Sequence, residues 1–213
     1  MIAAASLAEL RQWAADPRAA RGFSPLSARK FLAVALEARK APAVDAWLRT
    51  LPCPVIGVGA ADAPLASACD CVVADAHAVA LLAQNIERAP LAAATLCQLL
   101  RATEGVPVEA ALIAESLAYA TLQSGPEFRA WLDAFTPDPP PEPDPGPPVE
   151  IERHDDRLAI VLNRPASHNA MSVEVRDALV EAFELVLADS GIRRATLTGK
   201  GRAFSVGGDL AEF

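Results

Sequence analysis

The sequence predicts an α/β protein in two parts: a mostly helical α/β region, then a segment that opens β-β-α-β. Three observations carry this. Apolar residues recur at helical spacing through most of residues 1–135, a proline-rich run occupies 136–148, and strand-like alternation begins at Val149. Much of the 52% apolar content is alanine, which favours helices, and the total suffices for a buried core.

Ser6 to Ala15 places Leu7, Leu10, Trp13 and Ala14 on one face, with Ser6 and Glu9 spaced as a capping box. Ser27 to Arg39 is expected to be a second helix, on Phe31, Leu32, Ala35 and Leu36. Pro54 to Val58 and Cys71 to Ala74 read as short buried strands. Helices are expected over His77–Arg88, Pro90–Ala102, Val108–Leu122 and Pro126–Ala134. Thr136–Pro148 (TPDPPPEPDPGPP) is expected to be an extended polyproline II spacer, because proline fixes φ and disfavours helix in the residue before it. The division is therefore 1–135, a linker at 136–148, and 149–213. Beyond it, Val149–His154 and Leu158–Leu162 alternate like paired strands. Ser172–Ser190 is an amphipathic helix with Val175, Ala178, Leu179, Ala182, Phe183, Val186 and Leu187 on one stripe. Arg194–Thr198 is a further strand, followed by a turn at Gly199–Arg202.

A net charge of −8 and a pI near 4.9, with no basic run, argue against nucleic-acid and anionic-membrane partners. No window approaches the roughly 18–20 apolar residues that span a bilayer. The N-terminus reads as an amphipathic helix, not a signal peptide, so a cytoplasmic protein is expected. Cys53, Cys69, Cys71 and Cys97 are expected to be reduced and mostly buried. Cys69 and Cys71 do not complete a zinc set, and no metal is expected. Gly57-Val-Gly59 has Asp62 where a dinucleotide loop has its third glycine, and Gly199-Lys-Gly-Arg lacks the rest of a P-loop. His77, His154 and His168 are scattered, while Glu104, Glu115 and Glu127 read as solvated helix faces.

The run LAIVLNRPASHNAMS (158–172), the helix after it and RRATLTGKGRAFSVGGDLAEF (193–213) together resemble the opening of the crotonase, or enoyl-CoA hydratase/isomerase, family. The shared features are a strand ending in N-R-P, an N-A-hydrophobic-S helix start, and T-G-x-G-x-A-F-x-x-G-x-D-hydrophobic after a strand. The resemblance implies a partial crotonase-type ββα spiral core in 149–213. It also implies an acyl-CoA thioester as substrate, turned over through an enolate by a lyase or isomerase of fatty acid metabolism. No cofactor is implied beyond the coenzyme A of the substrate, and a homo-oligomer, trimer or hexamer, is expected. In the family two backbone N–H groups stabilise the thioester oxygen, an arrangement that contributes several kcal/mol to the transition state. The first falls here on Gly208. Coenzyme A contacts carry over to Ala166, Ser167 and His168, and to Val206, Gly208, Asp209 and Leu210. Ala166 stands where many members have a basic residue.

The family's second oxyanion glycine and its acid/base carboxylates have no counterpart by Phe213, so a fragment that is weak or inactive alone is expected. The alternative is a non-catalytic module that binds coenzyme A or mediates oligomerisation. Leu51–Asp75 faintly resembles a later family stretch, with Gly57 and Gly59 but no full glycine run. Residues 46–135 are accordingly expected to be a degenerate crotonase-like half or an accessory domain, whose roles are packing and oligomerisation.

Overall fold

The computed structural model describes residues 2–136 and 145–212, so most of the expected polyproline spacer, 137–144, lies outside the described residues. The chain divides into two compact units, Met1–Phe135 and Thr136–Phe213.

In the first unit, Leu7–Ala15 forms α1. The Ser6 hydroxyl accepts from the Glu9 amide, and the Glu9 carboxylate accepts from the Ser6 amide at 2.8 Å. This is the capping box read from the sequence. Leu32–Ala35 is β1, Pro42–Arg49 is α2, Val55–Val58 is β2 and Cys71–Val73 is β3. These strands form a parallel sheet in the order β1-β2-β3, and Ala5 pairs with Val34 on the far side of β1.

The helix expected over Ser27–Arg39 is thus corrected: its centre is a strand. Leu32 and Val34 pack into one core with Leu10, Val44, Leu48 and Val55. Ala33 packs into the other with Ile56, Val79 and Ile86. A parallel strand covered on both faces reads as a continuous apolar run, which periodicity over so short a span cannot tell from a helix.

Four further helices are α3 (Ala76–Arg88), α4 (Pro90–Thr103), α5 (Val108–Gln123) and α6 (Pro126–Ala134), within a residue or so of expectation. Glu127 is not a solvated glutamate. Its carboxylate accepts the Leu91 and Ala92 amides at 2.8 and 2.9 Å, satisfying two unpaired donors at the start of α4. Arg101 on α4 grips both oxygens of Asp70 at 2.8 and 2.6 Å and donates to the Leu51 and Cys53 carbonyls.

All four cysteines are free thiols, but only Cys53 is buried as expected: Cys69 and Cys97 are half-buried, and Cys71, at the start of edge strand β3, is exposed. Burial pushes the thiols of Cys53, Cys69 and Cys97 up to about 12. Since the thiolate is the reactive form, a maleimide or iodoacetamide at pH 8 is expected to modify Cys71 first. Cys69 and Cys97, half-buried, should follow more slowly and buried Cys53 should react only on unfolding, as peptide mass spectrometry over time would read.

The second unit has β4 (Val149–His154) antiparallel to β5 (Arg157–Leu162), which is parallel to β6 (Arg194–Gly199). The connection from β5 to β6 is α7, Val173–Ala188, with the Ser172 hydroxyl accepting from the Val175 amide at 3.3 Å. Leu158, Ile160 and Leu162 point to one face of β5 and pack on Val175, Leu179 and Ala182 of α7. The stripe on α7 is narrower than expected: Phe183 and Leu187 are exposed, Leu187 at 86%. They sit about 60–120° round the helix from the buried line through Val175, Leu179, Ala182 and Val186, beyond what a three-stranded sheet covers.

Candidate functional site

The N-R-P motif ends β5, and its side chains fasten the chain on both sides of it. Asn163, 4% exposed, donates from Nδ2 to the Pro145 and Pro147 carbonyls at 3.1 and 3.0 Å. Arg164 grips both carboxylate oxygens of Glu174, in the first turn of α7, at 3.0 and 3.1 Å. Pro165–Ser167 is a single 3-10 turn, in which Ala166 is exposed and Ser167 half-buried. His168 is exposed and left-handed at φ 54°, and Asn169 follows at φ 55°.

Asn169 is the centre of the arrangement. It is 0% exposed, and every polar group it carries is used. Its Oδ1 accepts the Arg164 amide at 2.9 Å, and its own amide donates to the Arg164 carbonyl at 2.8 Å. Its Nδ2 donates to the carbonyls of Lys200 and Ala203, both at 2.9 Å. The N-R-P turn is thereby tied to the turn that follows β6. Two glycines make the approach possible. A Cβ on Gly199 would lie 2.5 Å from the Phe204 carbonyl oxygen and 2.8 Å from Asn169 Nδ2. Gly201, at φ +87°, lies under Pro165, whose Cβ would be 2.9 Å from any added Cβ.

The loop after this turn carries Gly208. The Met171 amide donates to the Gly207 carbonyl at 2.7 Å, and the Asp209 amide donates to the Met171 carbonyl at 3.3 Å. The Gly207 carbonyl and the Gly208 N–H belong to one planar trans peptide and point in opposite directions. With the carbonyl held toward Met171, the Gly208 N–H points away from it, on an exposed residue. Val206 is exposed, as is Leu210 at the start of the 3-10 turn Leu210–Glu212; Asp209 is half-buried between them. The Glu212 carboxylate accepts the Val173 amide at 2.7 Å, so the loop is pinned to the start of α7 at both ends.

The two motif segments are therefore joined by direct hydrogen bonds, with Gly208 at their junction. An amide outside the sheet ladder can donate to a carbonyl oxygen on a bound molecule. Sequence reasoning placed Gly208, Asp209 and the N-R-P flank, but missed Asn169, Ser205 and Glu212 as the residues that hold them. The first was visible as the asparagine that opens the N-A-hydrophobic-S motif, without a role assigned to it; the other two carried no signal in the pattern.

Residues 154–213 match the family model for enoyl-CoA hydratase/isomerase. The chain is 42% identical over 60 residues to an enoyl-CoA hydratase of Mycobacterium tuberculosis, which covers 28% of this chain and 23% of that protein. It is 34% identical over 65 residues to a hydroxycinnamoyl-CoA hydratase-lyase of Pseudomonas fluorescens, covering 30% and 24% respectively. Among solved structures, an enoyl-CoA hydratase of Mycobacterium tuberculosis is 38% identical over 31% of this chain and 26% of its own, with a TM-score of 0.30. The chain spans about a quarter of the length of the curated relatives it matches.

Proposed function

We propose, from the premise that residues 154–213 belong to the enoyl-CoA hydratase/isomerase family, that the whole protein acts on an acyl-CoA thioester. In this reading the thioester oxygen gains negative charge as an enolate forms, and the Gly208 N–H is one of two donors that receive it. Glycine suits the position because it lets the acyl group come close to the backbone. Ala166, Ser167 and His168 on one side, and Val206, Asp209 and Leu210 on the other, line the path of the coenzyme A portion. A general base and acid, supplied outside residues 149–213, move the protons of hydration or isomerisation. The reaction needs no cofactor beyond the coenzyme A of the substrate.

The observation that carries this reading is the direction of one amide: the Met171-to-Gly207 hydrogen bond turns the Gly208 N–H outward within the matched segment. The first unit has a packing and oligomerisation role in the same reading. Supporting it, α5 buries none of its residues and leaves Leu112, Ile113 and Leu117 57–66% exposed.

The test is an enoyl-CoA hydration assay on the whole protein, read as loss of the conjugated thioester absorbance. Turnover that saturates with enoyl-CoA is the expected result. Coenzyme A thioester binding with no turnover of any enoyl-CoA would instead favour a non-catalytic binding module.

A further inference from the structure

We infer that Ser205 is a positioning residue, whose hydroxyl latches the loop that presents the Gly208 amide. The inference rests on Gly208 being the thioester donor proposed above.

The loop has an intrinsic weakness. Gly207 and Gly208 are adjacent, and Gly207 sits at φ +92° with nothing within 4 Å of where a Cβ would be. Two successive glycines leave the backbone with more freedom to lose than any other pair. The direction of the Gly208 N–H depends on both peptide planes that flank Gly207. The plane after it is held by the Met171 amide on the Gly207 carbonyl at 2.7 Å. The plane before it is held by Ser205, whose Oγ accepts the Gly207 amide at 3.2 Å.

The other end of the latch is fixed. Ser205 Oγ donates to the Asn169 carbonyl at 2.7 Å, and Asn169 is the fully buried residue clamped to Arg164, Lys200 and Ala203. One hydroxyl thus donates its proton to a carbonyl of the buried clamp and accepts the amide of the glycine loop. Without it, the peptide between Val206 and Gly207 is free to rotate, which loosens the Met171 contact on the Gly207 carbonyl and with it the Gly208 plane, while the turn and α7 remain in place. The role is distinct from holding the fold together: Ser205 is half-buried in a loop outside the hydrophobic core.

The test is nitrogen-15 relaxation on the 213-residue chain, comparing the unaltered protein with Ser205→Ala and Ser205→Thr. Gly207 and Gly208 should have order parameters near about 0.85 in the unaltered protein and in Ser205→Thr, which keeps the hydroxyl. In Ser205→Ala they should fall below about 0.6, with α7 and β5 unchanged. Unchanged Gly208 order in Ser205→Ala would overturn the inference. So would an equal loss through α7 and β5, which would make Ser205 merely structural.

A second arm adds a saturated acyl-CoA thioester. The Gly208 amide resonance should shift in the unaltered protein and in Ser205→Thr, and by less than half as much in Ser205→Ala. A full-sized shift in Ser205→Ala would also overturn the inference. No shift in the unaltered protein would count against thioester binding by this chain, and the latch would then stand or fall on the order parameters alone.

Discussion

Replacing Gly208 with proline in the whole protein is expected to cut acyl-CoA turnover by about 10²–10³-fold while changing coenzyme A affinity by less than about threefold. Proline removes the one group the proposal requires at that position, the backbone N–H. A preorganised oxyanion donor contributes about 3–4 kcal/mol to the transition state, which sets the size of the effect. In the proposed reading the adenine and pantetheine rest on the backbone around the loop more than on this amide, so binding should survive. Gly208→Ala retains the N–H and is the control, with most of the turnover expected to remain. Steady-state kinetics and calorimetric titration with coenzyme A read the two quantities separately. Equal losses of turnover and affinity in Gly208→Pro would mean the loop had collapsed, because proline also restricts the residue before it.

Asn169→Ala is expected to destabilise the second unit by about 3–4 kcal/mol. The substitution leaves the Arg164 amide and the Lys200 and Ala203 carbonyls without the partner that a fully buried side chain gives them. Each buried polar group stranded in this way costs about 1–3 kcal/mol. Asn169→Asp sharpens the test. It keeps the shape and the acceptor for the Arg164 amide, but turns a carboxylate oxygen toward two carbonyl oxygens that now face a donor at 2.9 Å. It should therefore be no better than alanine near neutral pH. Urea unfolding followed by the amide signals of β5 and α7 measures both variants. A loss below about 1 kcal/mol for both would show that the turn is held by the chain around it and not by this side chain.

The parts of the fold that could be read from the sequence are those with a local cause. Ser6 and Glu9, Pro126, and Ser172 mark helix starts through caps and proline chemistry that act within one turn, and those helices begin within a residue of where they were expected. Alternation in Val149–His154 and the turn after it marked the hairpin to which β5 belongs, although Leu158–Leu162 is itself apolar throughout. Leu32–Ala35 has no such neighbour: covered on both faces and apolar throughout, it has no period to read. Phe183 and Leu187 are apolar and helical, yet exposed, because the width of the surface beneath α7 is set by the sheet and not by the helix.

The site divides along the same line. Gly208 and the N-R-P flank could be named because a family pattern fixes their spacing. What holds them could not. The reach of Asn169 to Lys200 and Ala203, 31 and 34 residues away, follows from the parallel crossover that brings the end of β6 beside the end of β5. Glu212 and Val173 are 39 residues apart and meet for the same reason. Contacts of that range leave no trace in a local window, and glutamate or serine in a loop has many ordinary explanations.

The most direct measurement is a crystal structure of the whole protein with a non-hydrolysable acyl-CoA analogue that keeps the carbonyl. That carbonyl oxygen is expected about 2.7–3.1 Å from the Gly208 nitrogen, with Met171 still bonded to the Gly207 carbonyl. An analogue bound with its carbonyl elsewhere, or a Gly208 amide rotated onto a protein acceptor, would contradict the donor role of Gly208.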